Sequence, residues 1–175
     1  KTMADLNRAG QSSVLSWGSC GSGTDPHLAG EMMNMAFKTK NVHVPYKGFA
    51  PALVDVLSGQ LDYAVVTMSG AVPYVSAGKM LALAITSKDR SKVFPSVPTV
   101  AESGAPGFHL SQWQGLAVPA GTPEDVQRAI YQTVSDIVHT DAMQRRLREL
   151  GYSPAAEDRL GFQKRVLEDS DRFSQ

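Results

Sequence analysis

The chain has 175 residues, 42% of them hydrophobic and 19% charged, which suffices for a real core and rules out a disordered tail or a fibre. Seventeen Lys and Arg balance seventeen Asp and Glu, so the basic excess of a nucleic-acid binder is missing and no such partner is expected. The single cysteine, Cys20, excludes an internal disulfide framework and a cysteine-rich zinc site. No apolar run approaches the ~18 residues that cross a bilayer, so a soluble chain that is not membrane-embedded is expected.

The opening "KTMADLNRAG" has neither an initiator Met nor the layout of a signal peptide. It reads as an amphipathic helical piece, Met3 and Leu6 on one side, entered part-way along, so a longer parent chain is expected. Ser13–Gly18 is a short β-type run, and Thr24–Lys38 a helix with Leu28, Met32, Met35 and Ala36 on one face. Asn41–Tyr46 reads as a second strand. Ala50–Gly59 reads as a helix with Leu53, Val56 and Leu57 together, stopped by Gly59. Leu61–Thr67 is a third strand, followed by a short helix over Gly70–Gly78. Met80–Ser87 is so evenly hydrophobic that it predicts a fourth strand covered on both faces. Ser87–Phe108 is a Pro/Gly-rich loop with one short helix around Thr99–Ser103, and Leu110–Pro123 a further strand and turn. Three helices then follow, Thr122–His139, Asp141–Leu150 and Glu157–Phe173, with no strand between them.

Strand–helix–strand at this spacing implies right-handed crossovers and an open α/β sheet, whose ligands bind at the carboxyl ends of strands. The strand-poor tail does not complete that sheet and is expected to pack on another domain.

"SWGSCGSGTDPHLAGEMM" lies at such a strand end. Gly18, Gly21 and Gly23 let backbone bend close to a ligand. The first turn of the next helix offers N–H groups to an anion, with hydroxyls from Ser19, Ser22 and Thr24 beside them. No Lys follows as in a P-loop, and the dinucleotide fingerprint is incomplete, so the chemistry points to a small anion such as a carboxylate. The alternative is that Thr24 or Asp25 merely caps the helix, with Pro26 near its start. Tyr46, Lys47 and Gly48 stand at the end of the second strand, and Thr67, Ser69 and Gly70 at the end of the third. That repetition favours a binding cleft.

His27 in a first helical turn reads as a neutral hydrogen-bonder rather than a base. No histidine pair has metal-ligand spacing, so no metal and no cofactor are expected. "GSCGSG" lacks the spacing of a nucleophile elbow, no base for Ser19 or Cys20 stands out, and no catalytic residue is assigned. Cys20 could be an activated thiol or a small buried residue.

Taken together, "GSCGSGTDPHLAGEMM", "VHVPYKGFAPALVDVLSGQLD", "GKMLALAITSKDRSKVFPSVPTVAESGAPGF" and "WQGLAVPAGTPEDV" resemble the Bug-type substrate-binding proteins of the tripartite tricarboxylate transporter family. The resemblance implies a periplasmic receptor of the type II periplasmic-binding-protein fold, two α/β lobes closing on a small carboxylated ligand, with membrane transporter subunits as partners. It also implies a missing N-terminal part that carries the signal peptide. Residues 1–110 would be the second ligand-binding lobe. Residues 111–175 would be the return segment and C-terminal helices of an incomplete first lobe. Carried across residue by residue, Ser19, Gly21, Ser22, Gly23 and Thr24 match the carboxylate-gripping loop, and Tyr46, Lys47 and Gly48 match the family's Y-K-G. Trp113 matches an aromatic near the hinge. Thr67 and Met68 stand where many relatives have Asp-Asn, and Cys20 where the loop usually has Pro. Losing that acid suggests a ligand without a cationic amine. Two other readings compete: the effector-binding domain of a transcription regulator, and a hydrolase.

Overall fold

The computed structural model describes residues 1–152, 154 and 157–173. They form two compact units, Lys1–Gln112 and Trp113–Gln175.

The first unit is an α/β layer. Helix α1 (Met3–Ser12) does not begin part-way: Thr2 is its N-cap, accepting from the Asp5 N–H while the Asp5 carboxylate accepts from the Thr2 N–H. Met3 and Leu6 face the core as the pattern predicts. Strand β1 (Ser16–Ser19) is central in a parallel sheet, flanked by β2 (Val42–Pro45) and β3 (Tyr63–Ala64). Trp17 lies opposite His43 on one side and Tyr63 on the other. Helix α2 (Asp25–Phe37) links β1 to β2, α3 (Phe49–Leu57) carries the chain over to β3, and α4 (Met68–Ser76) follows β3. The chain thus leaves β1 toward one neighbour and returns on its other side. That reversal of strand order is where open α/β sheets form a crevice.

Helix α2 buries a different face from the one its hydropathy predicts. Met35 is 79% exposed, whereas Pro26, Ala29, Gly30, Met33 and Asn34 are buried. Gly30 is there because Trp17 fills the space a side chain would need. Asn34 is there because its amide donates to the Asn41 carbonyl at 2.9 Å and its oxygen accepts from the Thr39 hydroxyl at 2.9 Å. Similar clamps close the same end of the sheet: Asn41 accepts from the Leu15 N–H, and Asp62 from the N–H and hydroxyl of Ser16.

Met80–Ser87 is not a fourth strand. Ile85 alone forms a parallel bridge, with Thr99, donating to Pro98 and accepting from Val100. Leu81–Ala84 have no backbone partner among the described residues, and Leu81 is 68% exposed. Hydrophobicity cannot make a strand where no neighbouring edge receives its N–H and C=O groups. Thr99–Ser103 is a turn rather than a helix. Thr99 and Glu102 exchange hydrogen bonds there, and Arg90 holds the Glu102 carboxylate at 2.8 Å.

In the second unit no strand forms among the described residues, so the expected Leu110–Pro123 strand is absent. Its helices α5 (Glu124–Val138), α6 (Asp141–Glu149) and α7 (Arg159–Phe173) match the three predicted. Trp113 donates to Asp169 at 2.7 Å and meets Phe162 edge-on, so this aromatic is anchored within its own unit. No described helix is long and apolar enough to cross a membrane.

Candidate functional site

The loops after β1, β2 and β3 meet at the carboxyl edge of the sheet, and Cys20 is their common point. Its carbonyl accepts from the Gly48 N–H at 3.3 Å, and the Thr67 backbone N–H faces its thiol. One residue earlier, the Ser19 carbonyl accepts from the Tyr46 N–H at 3.2 Å. The structure therefore brings together all three segments singled out from the sequence. Burial pushes the Cys20 thiol up, although the Thr67 N–H pulls the other way. A thiol held protonated is no activated nucleophile.

Helices α2, α3 and α4 all start at this edge, at N-caps Thr24, Gly48 and Thr67, and none receives a side-chain cap bond. The Thr24 hydroxyl turns back to the Gly21 carbonyl at 2.7 Å. The Thr67 hydroxyl lies 3.3 Å from that of Ser69, and Gly48 has no side chain to offer. By contrast α1 and α6 carry ordinary Thr caps. Three helix starts without side-chain caps thus gather at one edge, an arrangement suited to an anion, with the Asp25 carboxylate in the first turn of α2 working against it.

Within the Gly-rich turn the amides alternate. The Gly21 N–H donates to Ser19 Oγ at 3.1 Å and the Gly23 N–H to His27 Nδ1 at 3.0 Å. The N–H groups of Ser22 and Thr24 make no hydrogen bond with the described residues, and Ser22 is exposed. Gly21 and Gly23 have φ of 130° and 77°, the left-handed region that glycine enters without a Cβ clash.

Besides Thr24 and Thr67, two more of the expected contact residues, Ser19 and Tyr46, have their hydroxyls engaged within the chain. Ser19 is 0% exposed; its Oγ lies 2.7 Å from His43 Nε2 and 3.2 Å from the Gly21 carbonyl. Tyr46 donates to Asp55 on α3 at 2.5 Å, and that bond to a carboxylate holds its hydroxyl above the ordinary phenol range. Both hydroxyls are thus satisfied within the chain. Lys47 is exposed at the edge, and Met68 is the first residue of α4.

Sequence reasoning passed over the layer beneath the turn. The His27 and His43 rings stack with centroids 4.2 Å apart, and His43 lies 4.4 Å from the Trp17 ring. Burial, and then His27 beside it, push the His43 imidazole below its usual range. Tyr63 stacks on the same tryptophan, and burial drives its hydroxyl up to about 12. Trp17 Nε1 is buried without a partner among the described residues. The sequence did place His27 in a first helical turn, but its stacking on a strand residue is a tertiary fact. No group of His, Cys, Asp and Glu suited to a metal occurs among the described residues.

The family described as tripartite tricarboxylate transporter family receptor matches residues 1–175. BugT of Bordetella pertussis is 32% identical over 132 residues, 75% of this chain and 40% of its own length. A protein of R. palustris solved with adipate superposes with a TM-score of 0.90 at 28% identity, covering 99% of this chain and 58% of that one. MatC of Rhodopseudomonas palustris, solved with bound malate, gives a TM-score of 0.76 at 30% identity over 86% of this chain and 52% of its own. The chain spans about half the length of the curated relatives and solved structures it matches. The α/β architecture is that of the type II periplasmic-binding-protein fold. By sequence and by fold, this chain belongs to the Bug-type receptors of the tripartite tricarboxylate transporter family.

Proposed function

We propose that the chain is the ligand-gripping part of an extracytoplasmic receptor for a small organic carboxylate, delivering it to membrane transporter subunits or to a sensor. The observation that carries this reading is the convergence of three helix starts, at Asp25, Phe49 and Met68, whose N-caps make no side-chain cap bond. Neutral N–H and O–H donors hold a carboxylate through charge-assisted hydrogen bonds and need no basic residue. The N–H groups of Ser22 and Thr24, the Ser22 hydroxyl, and the helix starts at Phe49 and Met68, which follow the N-caps Gly48 and Thr67, are the direct contacts in this reading. Ser19, Gly21, Gly23 and Tyr46 set their positions, and Lys47 adds positive charge at the rim. The first unit acts as one binding lobe, and the second as the returning helical part of the other. A closed form shields the bonds from water and is what a membrane partner reads. Periplasmic residence follows from the same reading. The adipate and malate held by two relatives support a dicarboxylate class.

No acid stands at Thr67 or Met68 to pair with an amino group, so amino acids should bind less well than dicarboxylates. Isothermal titration of the intact protein with adipate, malate, aspartate and glutamate tests both points. Binding of none of them removes the carboxylate reading, and preference for aspartate or glutamate removes the amine-free ligand. A hydrolase has one observation in its favour, His43 Nε2 at 2.7 Å from Ser19 Oγ. That serine is fully buried and also engaged with Gly21, so no substrate carbonyl reaches it in this conformation.

A further inference from the structure

We propose that His27 is the positioning residue of the Gly21–Thr24 turn. Its neutral Nδ1 holds the Gly23 N–H, and a proton on that nitrogen releases the turn and weakens anion binding at the rim. The consequence for binding rests on the carboxylate-receptor reading; the positioning itself does not.

The Gly23 N–H reaches His27 Nδ1 at 3.0 Å, so that nitrogen presents a lone pair and the ring proton sits on Nε2. Nε2 faces Glu31 Oε1, 3.9 Å away. A protonated imidazole has two N–H donors and no acceptor, so it would confront the Gly23 N–H donor to donor. The second inward amide depends on the same layer. Gly21 donates to Ser19 Oγ, Ser19 pairs with His43 Nε2, and the His43 ring stacks on His27. The titratable groups near His27 include Asp25 and Glu31 on its own helix and His43 on β2, with Tyr63 on β3 beyond Trp17. While the two inward amides are tied down, those of Ser22 and Thr24 stay available, and a released turn loses that division.

The sign separates positioning from simple attraction. A cationic His27 acting only through its charge would strengthen anion binding on acidification. A positioning His27 weakens it. Two readouts on the intact protein test this between pH 8 and about 6, with the His27 nitrogen chemical shifts reporting directly whether the ring carries one proton or two. The first is Gly23 amide hydrogen exchange alongside the His27 nitrogen chemical shifts, in wild type, His27→Asn and His27→Phe. The Asn side chain keeps an acceptor near the Nδ1 position, and the Phe ring keeps a face for His43. Gly23 protection in wild type should fall as His27 takes up a proton. Protection should persist at all these pH values in His27→Asn, and drop about tenfold in His27→Phe, the scale of one lost hydrogen bond. The second readout is titration with adipate. Affinity should weaken on acidification in wild type, stay level in His27→Asn, and be about tenfold lower in His27→Phe at every pH. Gly23 protection that ignores the His27 proton, or a His27→Phe variant that protects Gly23 normally, overturns the proposal, as does adipate binding that tightens on acidification. The exchange readout needs no ligand. If it follows His27 while adipate fails to bind, the positioning stands and the carboxylate reading fails.

Discussion

Gly30 on α2 lies so close to Trp17 on β1 that a Cβ there would fall 2.1 Å from the ring. Trp17 is the floor against which the His43 ring tilts and the Tyr63 ring stacks, and its position relative to α2 passes directly to the layer beneath the Gly-rich turn. In an ordinary helix interior, replacing Gly by Ala stabilises by about 1 kcal/mol. Here Gly30→Ala should do the opposite and destabilise by about 1–3 kcal/mol, the cost of overpacking a filled core. Urea unfolding of the variant measures this, and a midpoint at or above wild type would mean the helix does not sit on the tryptophan.

The pH dependence of stability follows from His43. Its imidazole is held below the usual range, chiefly by burial and next by His27. The folded state keeps it neutral where the unfolded chain has already taken up a proton, so the unfolded state binds more protons and stability falls on acidification. The loss begins as pH drops through about 6.5, the unfolded histidine value, and levels off below the depressed folded one. Urea midpoints taken from pH 8 to 5 should decline over that window. His43→Phe, which keeps a ring against Trp17, should flatten the decline, and an unchanged slope would assign it to other groups.

Charge at the rim gives a third test. A carboxylate introduced by Thr67→Asp would stand beside the Cys20 thiol, at the start of α4. It should lower adipate affinity by about tenfold or more at low salt, through like-charge repulsion that added salt screens. Circular dichroism checks that the variant folds. Equal or tighter adipate binding would mean that the anion does not approach the end of β3.

Cys20 offers a test without ligand. Its thiol is pushed up by burial. Alkylation at pH 7 should therefore be slower than for a free cysteine, rise steeply with pH, and reach the free rate on unfolding. Fast labelling of the folded protein at pH 7 would reveal an activated thiolate and reopen an enzymatic role for this loop.

Much of the fold is legible in the sequence because it is local. Met3 and Leu6 mark the buried side of α1, and Gly59 follows the last turn of α3. The glycines at 21 and 23 announce backbone that other residues would strain. Met80–Ser87 misled because strand composition does not supply the neighbour a strand needs. Met35 misled because hydropathy counts apolar atoms and cannot register that Gly30 makes room for an indole, or that Asn34 is satisfied by the start of β2.

The residue types at the three strand ends were determined by the sequence itself, which places Gly, Ser and Thr ahead of three helices but leaves open whether their hydroxyls cap those helices, as Thr2 and Thr140 do, or turn elsewhere. The tertiary structure alone decided which donors are taken. Ser19 and Tyr46 lose their hydroxyls to His43 and Asp55, and two histidines 16 positions apart in sequence become one stacked layer under the turn. Hydrogen bonds between segments distant along the chain depend on where the sheet brings them, which no local pattern encodes.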